Sequence, residues 1–247
     1  MARGRADLAL VARGHFASRA RAQEAIRRGL VSAGGRTIGK PGELVGDDEA
    51  LSVADAGAAW VSRGALKLIA ALDHFGLSPE NRICLDIGAS TGGFTEVLLA
   101  RGAALVHAVD VGHGQMAPAL REDARVRLHE GVNARDLSAT GIPGGLGAVV
   151  CDVSFIGLRK VLPAGLALCG KDAFAVALIK PQFEAGPEAV GKGGIVRDAA
   201  VHERVCGEIG DWFAQIPGWR GLGIIPSPIE GGDGNREFLI AAMRDAR

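Results

Sequence analysis

Ten residues, Asp86-Ile-Gly-Ala-Ser-Thr-Gly-Gly-Phe-Thr95, follow the short apolar run Ile83-Cys84-Leu85 and lead into a helix-forming stretch, Thr95–Arg101. An acidic strand end, a glycine turn and a helix start predict the strand–turn–helix with which α/β folds hold a nucleoside. Gly88, Gly92 and Gly93 let the backbone turn tightly and approach a ligand with no Cβ in the way. The G-x-G-x-x-G arrangement that seats a pyrophosphate on a helix N-terminus is missing. A carboxylate at the strand end suits an ammonium-bearing ligand better than a pyrophosphate. S-adenosylmethionine carries an α-ammonium, so the loop favours methyl transfer over hydride transfer, with Asp86, Gly88, Ser90, Gly92 and Gly93 as its cofactor contacts and no affinity for NAD. A plain strand–turn–helix with convenient glycines has the same local appearance, so the rest of the chain must discriminate.

At 247 residues and 48% hydrophobic content the chain can bury a full core and is not disordered. Its net charge of zero is a cancellation. Residues 1–40 hold nine Arg/Lys against two acids, Asp7 and Glu24, and the remainder holds 19 basic and 26 acidic residues. A basic head on an acidic body points to a polyanion partner for the head. The four cysteines are far apart and without C-x-x-C spacing, which reads as reduced packing residues. The arginine-bearing N-terminus has no apolar core of a signal peptide, and no apolar run reaches spanning length. The expectation is a soluble cytoplasmic protein with no membrane association and no stable protein partner. The six histidines lack ligand spacing, so no metal site is expected.

Residues 1–53 read as a small module. Leu8, Leu10, Val11 and Gly14 suggest a short helix; Ser18 caps a second helix that Gly29 stops. Short strands are expected at Leu30-Val31, Thr37-Ile38 and Leu51–Val53, with Asp47-Asp48-Glu49 as an acidic tip. Arg13, Arg19, Arg21, Arg27, Arg28 and Arg36 are the candidate RNA contacts. Phe16 is the one aromatic residue of the module, so recognition would rest on shape and phosphates. After a linker at 54–61, a helix is expected over Arg63–Phe75, capped by Ser62. Strands then fall near Arg82–Asp86, Leu105–Asp110, Val126–Glu130, Ala148–Asp152, Phe174–Ile179, Gly221–Ile225 and Phe238–Met243, with helices near Thr95–Ala100, Ile156–Ala167 and Ala199–Phe213. That alternation predicts an α/β domain over 62–247 with a mostly parallel sheet. The glycine-rich stretch Pro181–Arg197 lacks periodicity and reads as a lid or binding loop.

Asp110 ends the second strand of this domain, 18 residues after Gly92, where an acid commonly accepts hydrogen bonds from ribose hydroxyls. A turn-capping role before Gly112 is the alternative. Asn133 and Asp136 follow the third strand and would lie over the adenine edge. Asp152 and Lys180 each close an apolar strand. A lysine there is costly to desolvate unless paired, which marks it for a task.

Several motifs occur in order: Ser62-Arg63-Gly64-Ala65-x-Lys67-Leu68, Asp86–Thr95, Asp152–Ile156, Lys180-Pro181-Gln182-Phe183-Glu184, Gly191-Lys192-Gly193-Gly194-x-Val196-Arg197-Asp198, and Ser227-Pro228-Ile229-x-Gly231 with Gly234-Asn235-x-Glu237-Phe238. Together they resemble the TlyA family, often labelled hemolysin A, of FtsJ-like ribosomal RNA 2′-O-methyltransferases. The N-terminal module, with Ser18-Arg19-x-x-Ala22-x-x-x-Ile26, resembles the RNA-binding domain of ribosomal protein S-four. The resemblance implies a Rossmann-like methyltransferase fold with a seven-stranded sheet and an S-adenosylmethionine cofactor. It also implies a ribosomal RNA or ribosomal-subunit substrate, a cytidine target in large-subunit RNA by analogy, and a catalytic tetrad of Lys67, Asp152, Lys180 and Glu237.

The 2′-hydroxyl is a poor nucleophile until its proton is removed or its oxygen is oriented, whereas a sulfonium methyl is already activated. Catalysis then reduces to in-line positioning and proton handling. Lys180 is the candidate base, with Lys67 as the neighbouring cation that would lower its pKa while Asp152 and Glu237 hold it and favour its charged form. Kept protonated, Lys180 would instead steady the developing alkoxide while water takes the proton. Two other classes compete: an RNA-binding protein on an inactive methyltransferase fold, which the intact tetrad opposes, and a membrane-active hemolysin, for which no basic amphipathic helix is visible.

Overall fold

The computed structural model describes residues 3–16, 18–27, 29–54, 60–139 and 141–245. The chain forms two compact units, Met1–Ala65 and Leu66–Arg247. In the first, β1 (Arg3–Arg5) pairs antiparallel with β4 (Leu44–Gly46), and β2 (Val31–Ala33) lies between β3 (Arg36–Thr37) and β5 (Leu51–Val53). Helices α1 (Ala6–Ala12) and α2 (Arg19–Arg27) bury Leu10, Ala22, Ala25 and Ile26 with Val31, Ile38 and Val45. β1 and β4 were not expected: each is three residues long, and the arginines and glycines in them mask any alternation. Phe16 is buried, so it packs the core and offers no face to a base.

In the second unit, α3 (Ala65–Phe75) starts where Ser62 Oγ accepts from Gly64 N at 3.0 Å. β6 (Ile83–Ile87), α4 (Gly93–Ala100), β7 (Leu105–Asp110), α5 (Pro118–Arg121), β8 (Val126–Glu130), β9 (Leu146–Cys151), α6 (Leu158–Ala167), β10 (Cys169–Ile179), α7 (Pro181–Glu184), α8 (Ala199–Ala214), β11 (Trp219–Pro226) and β12 (Phe238–Arg244) follow. The seven strands run in the order β11-β12-β10-β9-β6-β7-β8, all parallel except β12, which is antiparallel to both of its neighbours. This is the expected Rossmann-like sheet. Its central strands are covered on both faces, hence their unbroken apolar runs: Ala173–Ile179 in β10 and Ala148–Cys151 in β9 are buried throughout. β10 begins at Cys169, not Phe174. The polar pair Lys171-Asp172 hides its start, where the register with β9 shifts and Asp172 adopts φ +56°.

Helix α6 lies close against the sheet because Gly165 has no side chain; a Cβ there would stand 2.9 Å from Ile87 Cδ1. α8 buries Val205, Ile209 and Phe213 in the same core. All four cysteines are free thiols, three of them buried. Among the described residues, no helix is long and apolar enough to cross a membrane.

Candidate active site

Chain order reverses between β6 and β9, and the carboxyl ends of these strands open into a cleft of about 350 Å³. Parallel pairing sets Ile87 beside Cys151, so the next residues, Gly88 and Asp152, lie together at the mouth. Gly88 has φ +83°, and a Cβ on it would fall 2.3 Å from the Asp152 carbonyl oxygen. Only glycine fits there. Ser90 is held at φ +46°, its N–H donating to Asp110 Oδ2 at 2.8 Å, while Gly112 N donates to Asp110 Oδ1 at 2.7 Å. Asp110 is thus fixed through one bond per oxygen, leaving lone pairs of both for a ligand.

Gly88, Ser90, Asp110 and Asn133 line the cleft together with Gln115, Asp152, Ser154 and Phe155. The other sequence-derived cofactor residues stand elsewhere. Asp86 is completely buried behind the loop, where Thr95 Oγ1 donates to its Oδ2 at 2.6 Å and its Oδ1 has no partner. Burial, reinforced by the charges of Asp152 and Asp110, pushes the Asp86 carboxyl up to about 7. Gly92, at φ +98°, lets Leu120 pack on the turn, and Gly93 opens α4. Asp136 lies in a kinked 3-10 turn over Ala134–Ala139 and is not among the lining residues.

The four tetrad candidates form two ion pairs. Lys180 Nζ stands 2.7 Å from Asp152 Oδ1 and donates to Ser154 Oγ at 3.0 Å. Lys67 Nζ stands 2.5 Å from Glu237 Oε2, with both residues buried. The sheet explains the convergence. Ile179 pairs with Phe238, so Lys180, leaving β10, and Glu237, entering β12, emerge at the same rim as Asp152. Because β12 is antiparallel, its first residue meets the last residues of the parallel strands. Lys67, expected beside Lys180, pairs with Glu237, which flanks the end of β10.

Loop contacts brace both pairs. Glu184 Oε1 accepts from Leu158 N at 2.7 Å, tying α7 to the start of α6 just after Ser154 and Phe155. Asn235, two residues before Glu237, is buried: its Oδ1 accepts from Val196 N at 3.0 Å and its Nδ2 donates to Gly194 O at 2.9 Å. His202 Nε2 lies 3.0 Å from Val196 O. The stretch 181–197 is therefore pinned at several points, and the two glycine-rich motifs are joined through Asn235. Sequence reading missed Phe155, which is 89% exposed at φ +66° and 5.1 Å from Phe183. Its place directly after the Asp152 strand end was the available signal.

Residues 60–244 match the FtsJ-like methyltransferase family. The chain belongs to that family. It is 48% identical over 96% of its length, and 89% of the relative's, to the 16S/23S rRNA (cytidine-2′-O)-methyltransferase TlyA of Mycobacterium tuberculosis. A candidate rRNA methyltransferase of Bacillus subtilis, YqxC, is 44% identical over 96% of this chain and 84% of its own. Among solved structures, a candidate hemolysin from Streptococcus thermophilus is 42% identical, with a TM-score of 0.72 over 99% of this chain and 90% of that one. The four candidate positions Lys67, Asp152, Lys180 and Glu237 all fall within the matched residues.

On the N-terminal unit, the arginines expected at RNA are mostly engaged within the fold. Arg13 donates to the carbonyls of Gly46 and Glu49, both at 2.6 Å; Arg27 pairs with Glu24 and Arg36 with Glu43. Arg19 bonds Asp7, Arg21 lies on the same helix, and Arg28 lies outside the described residues.

Proposed function

We propose that the protein transfers the methyl group of S-adenosylmethionine to a ribose 2′-hydroxyl of ribosomal RNA, at a cytidine. The observation that carries this reading is the Lys180 ammonium held between Asp152 and Ser154 at the rim of a glycine-walled cleft. The cofactor fits the residues present. Gly88 and Ser90 give a backbone wall without bulk, Asp110 keeps acceptor capacity for ribose hydroxyls, and Asn133, in the same lining, would meet the adenine. Asp86, with Thr95, Gly92 and Gly93, shapes that wall from behind. When bound, the cofactor supplies an electrophilic methyl on a sulfonium.

The chain's own residues handle the acceptor. Asp152 and Ser154 fix the Lys180 Nζ so that it faces the incoming 2′-oxygen. In this paired setting Lys180 steadies the alkoxide as it develops, and water carries the proton away. The Lys67–Glu237 pair lies buried where β12 begins beside the end of β10. Phe155 and Phe183 offer aromatic faces on which the base of the reacting nucleotide can stack. The basic N-terminal unit, read as a ribosomal protein S-four-type module, supplies affinity for phosphates. The M. tuberculosis relative is named for both 16S and 23S RNA; large-subunit RNA is the substrate proposed for this chain.

The test is ribose-methylation mapping of both ribosomal RNAs after incubation with the purified chain and S-adenosylmethionine. One or more 2′-O-methylcytidines should appear in the large-subunit RNA. Calorimetry should show S-adenosylmethionine binding, weakened in Asp110→Ala. Tight NAD binding with no response to S-adenosylmethionine would end the reading.

A further inference from the structure

Among the described residues of the N-terminal unit, Asp7 is the one buried charged side chain. Arg5 meets it side-on, Nε 3.0 Å from Oδ1 and Nη2 3.1 Å from Oδ2. Arg19 Nε and Gln23 Nε2 each donate to Oδ2 at 2.7 Å. The carboxylate is 0% exposed, whereas the side chains of Arg5 and Arg19 remain 44% and 52% exposed. The Arg5 hydrogen bond outweighs burial and, with Gln23 and Arg19, holds the carboxyl far below the ordinary carboxylate range.

Two guanidinium groups on one carboxylate leave a surplus positive charge at the surface. Arg19 gives only Nε to Asp7, so the edge formed by its two terminal nitrogens stays outside that bond. That edge matches the spacing of two phosphate oxygens. Arginine side chains otherwise lose rotamer freedom when they grip a ligand, and Asp7 removes that freedom before RNA arrives. We propose that Asp7 is a positioning residue for RNA, fixing Arg5 and Arg19 side by side as a bracket for the phosphodiester backbone. The inference rests on the reading of this unit as an RNA-binding module and adds Arg5, Asp7 and Gln23 to it.

The proposal makes a prediction opposite in sign to that of net charge. Asp7→Asn removes a negative charge from an RNA-binding face, so charge alone would tighten binding. A lost bracket weakens it, by about tenfold. The measurement is binding of the full chain to a large-subunit ribosomal RNA transcript at several salt concentrations, with thermal midpoints recorded alongside. For Asp7→Asn the slope of log affinity against log salt should also fall by about one, the mark of one lost phosphate contact. A variant that was merely less folded would lower the competent fraction and leave the slope alone. Arg19→Lys keeps the charge and leaves Asp7 itself in place, yet one ammonium cannot hold Asp7 and a phosphate fork at once; it too should bind more weakly. Unchanged or tighter binding by a folded Asp7→Asn overturns the inference, and if Asp7→Asn fails to fold, wild-type affinity in Arg19→Lys does so. Should Arg5→Ala and Arg19→Ala both bind as wild type at every salt concentration, the module reading itself fails, and the bracket with it.

Discussion

Lys67 Nζ and Glu237 Oε2 stand 2.5 Å apart across 170 residues of sequence, both buried. Removing one partner of such a pair strands the other's charge away from water, a loss of about 3–5 kcal/mol. Glu237→Ala should therefore lower the thermal midpoint sharply and abolish methylation. The double variant Lys67→Met, Glu237→Leu should regain most of the midpoint while staying inactive. Differential scanning fluorimetry with a labelled-methyl assay reads both; recovery of activity in the double variant would deny the pair a chemical role.

Lys180→Ala should cut the single-turnover methylation rate by about 10²–10⁴-fold, with cofactor and RNA affinities nearly unchanged. Lys180→Arg should be almost as damaging, because a planar fork does not fit the point-charge position between Asp152 and Ser154. Substantial turnover in Lys180→Ala would remove the residue from the mechanism.

Asp86 gives a pH signature. Its folded-state pKa of about 7 lies above the ordinary aspartate value of 3.8, so its contribution to stability is fully present below about 4 and is lost as pH rises through about 7. Asp86→Asn, which mimics the neutral acid, should raise the thermal midpoint at pH 8 and change it little at pH 4. The three-unit shift sets a ceiling of roughly 4 kcal/mol on the gain. Equal effects at both pH values would mean that folding does not move the Asp86 pKa.

Phe155 is held in a left-handed conformation that side chains disfavour by about 1–2 kcal/mol. Phe155→Gly should stabilise the fold slightly and yet depress kcat/KM for the RNA, through loss of an aromatic face. Phe155→Ala keeps most of the strain and should lose activity without the gain in midpoint. Unaltered kinetics in both would leave Phe155 outside substrate binding.

Asn235→Ala should speed amide exchange at Val196, whose N–H donates to the Asn235 side chain, and slow methyl transfer. If Asn235 works by placing Glu237, the same change in a Glu237→Gln background should add no further loss of rate. Independent, additive losses would separate the two residues.

Much of this architecture could be read from the residues. The apolar runs at Cys84–Leu85, Ala148–Cys151 and Phe174–Ile179 announced buried parallel strands, and Gly88 announced a close approach that turned out to be to the Asp152 carbonyl. Lys67, Asp152, Lys180 and Glu237 could be singled out as candidates through the motifs around them. Their pairing was not legible: which lysine meets which carboxylate follows from the antiparallel entry of β12, and strand direction leaves no mark in the sequence. Asp86 looked like a ligand contact because strand-end acids often are, but nothing local reports that its carboxylate turns inward to Thr95. Asp7 looked incidental for the opposite reason. One of two acids among nine cations reads as noise until the fold gathers Arg5, Arg19 and Gln23 around it.

The late, reversed strand β12 also orders events during synthesis. The loop, Asp110 and Asp152 all precede residue 237 in the chain, so Lys67 lacks its carboxylate until β12 is made. The rim is finished only when β12 slides between β10 and β11. Until then the rim holds only one of its two ion pairs, Lys180 with Asp152.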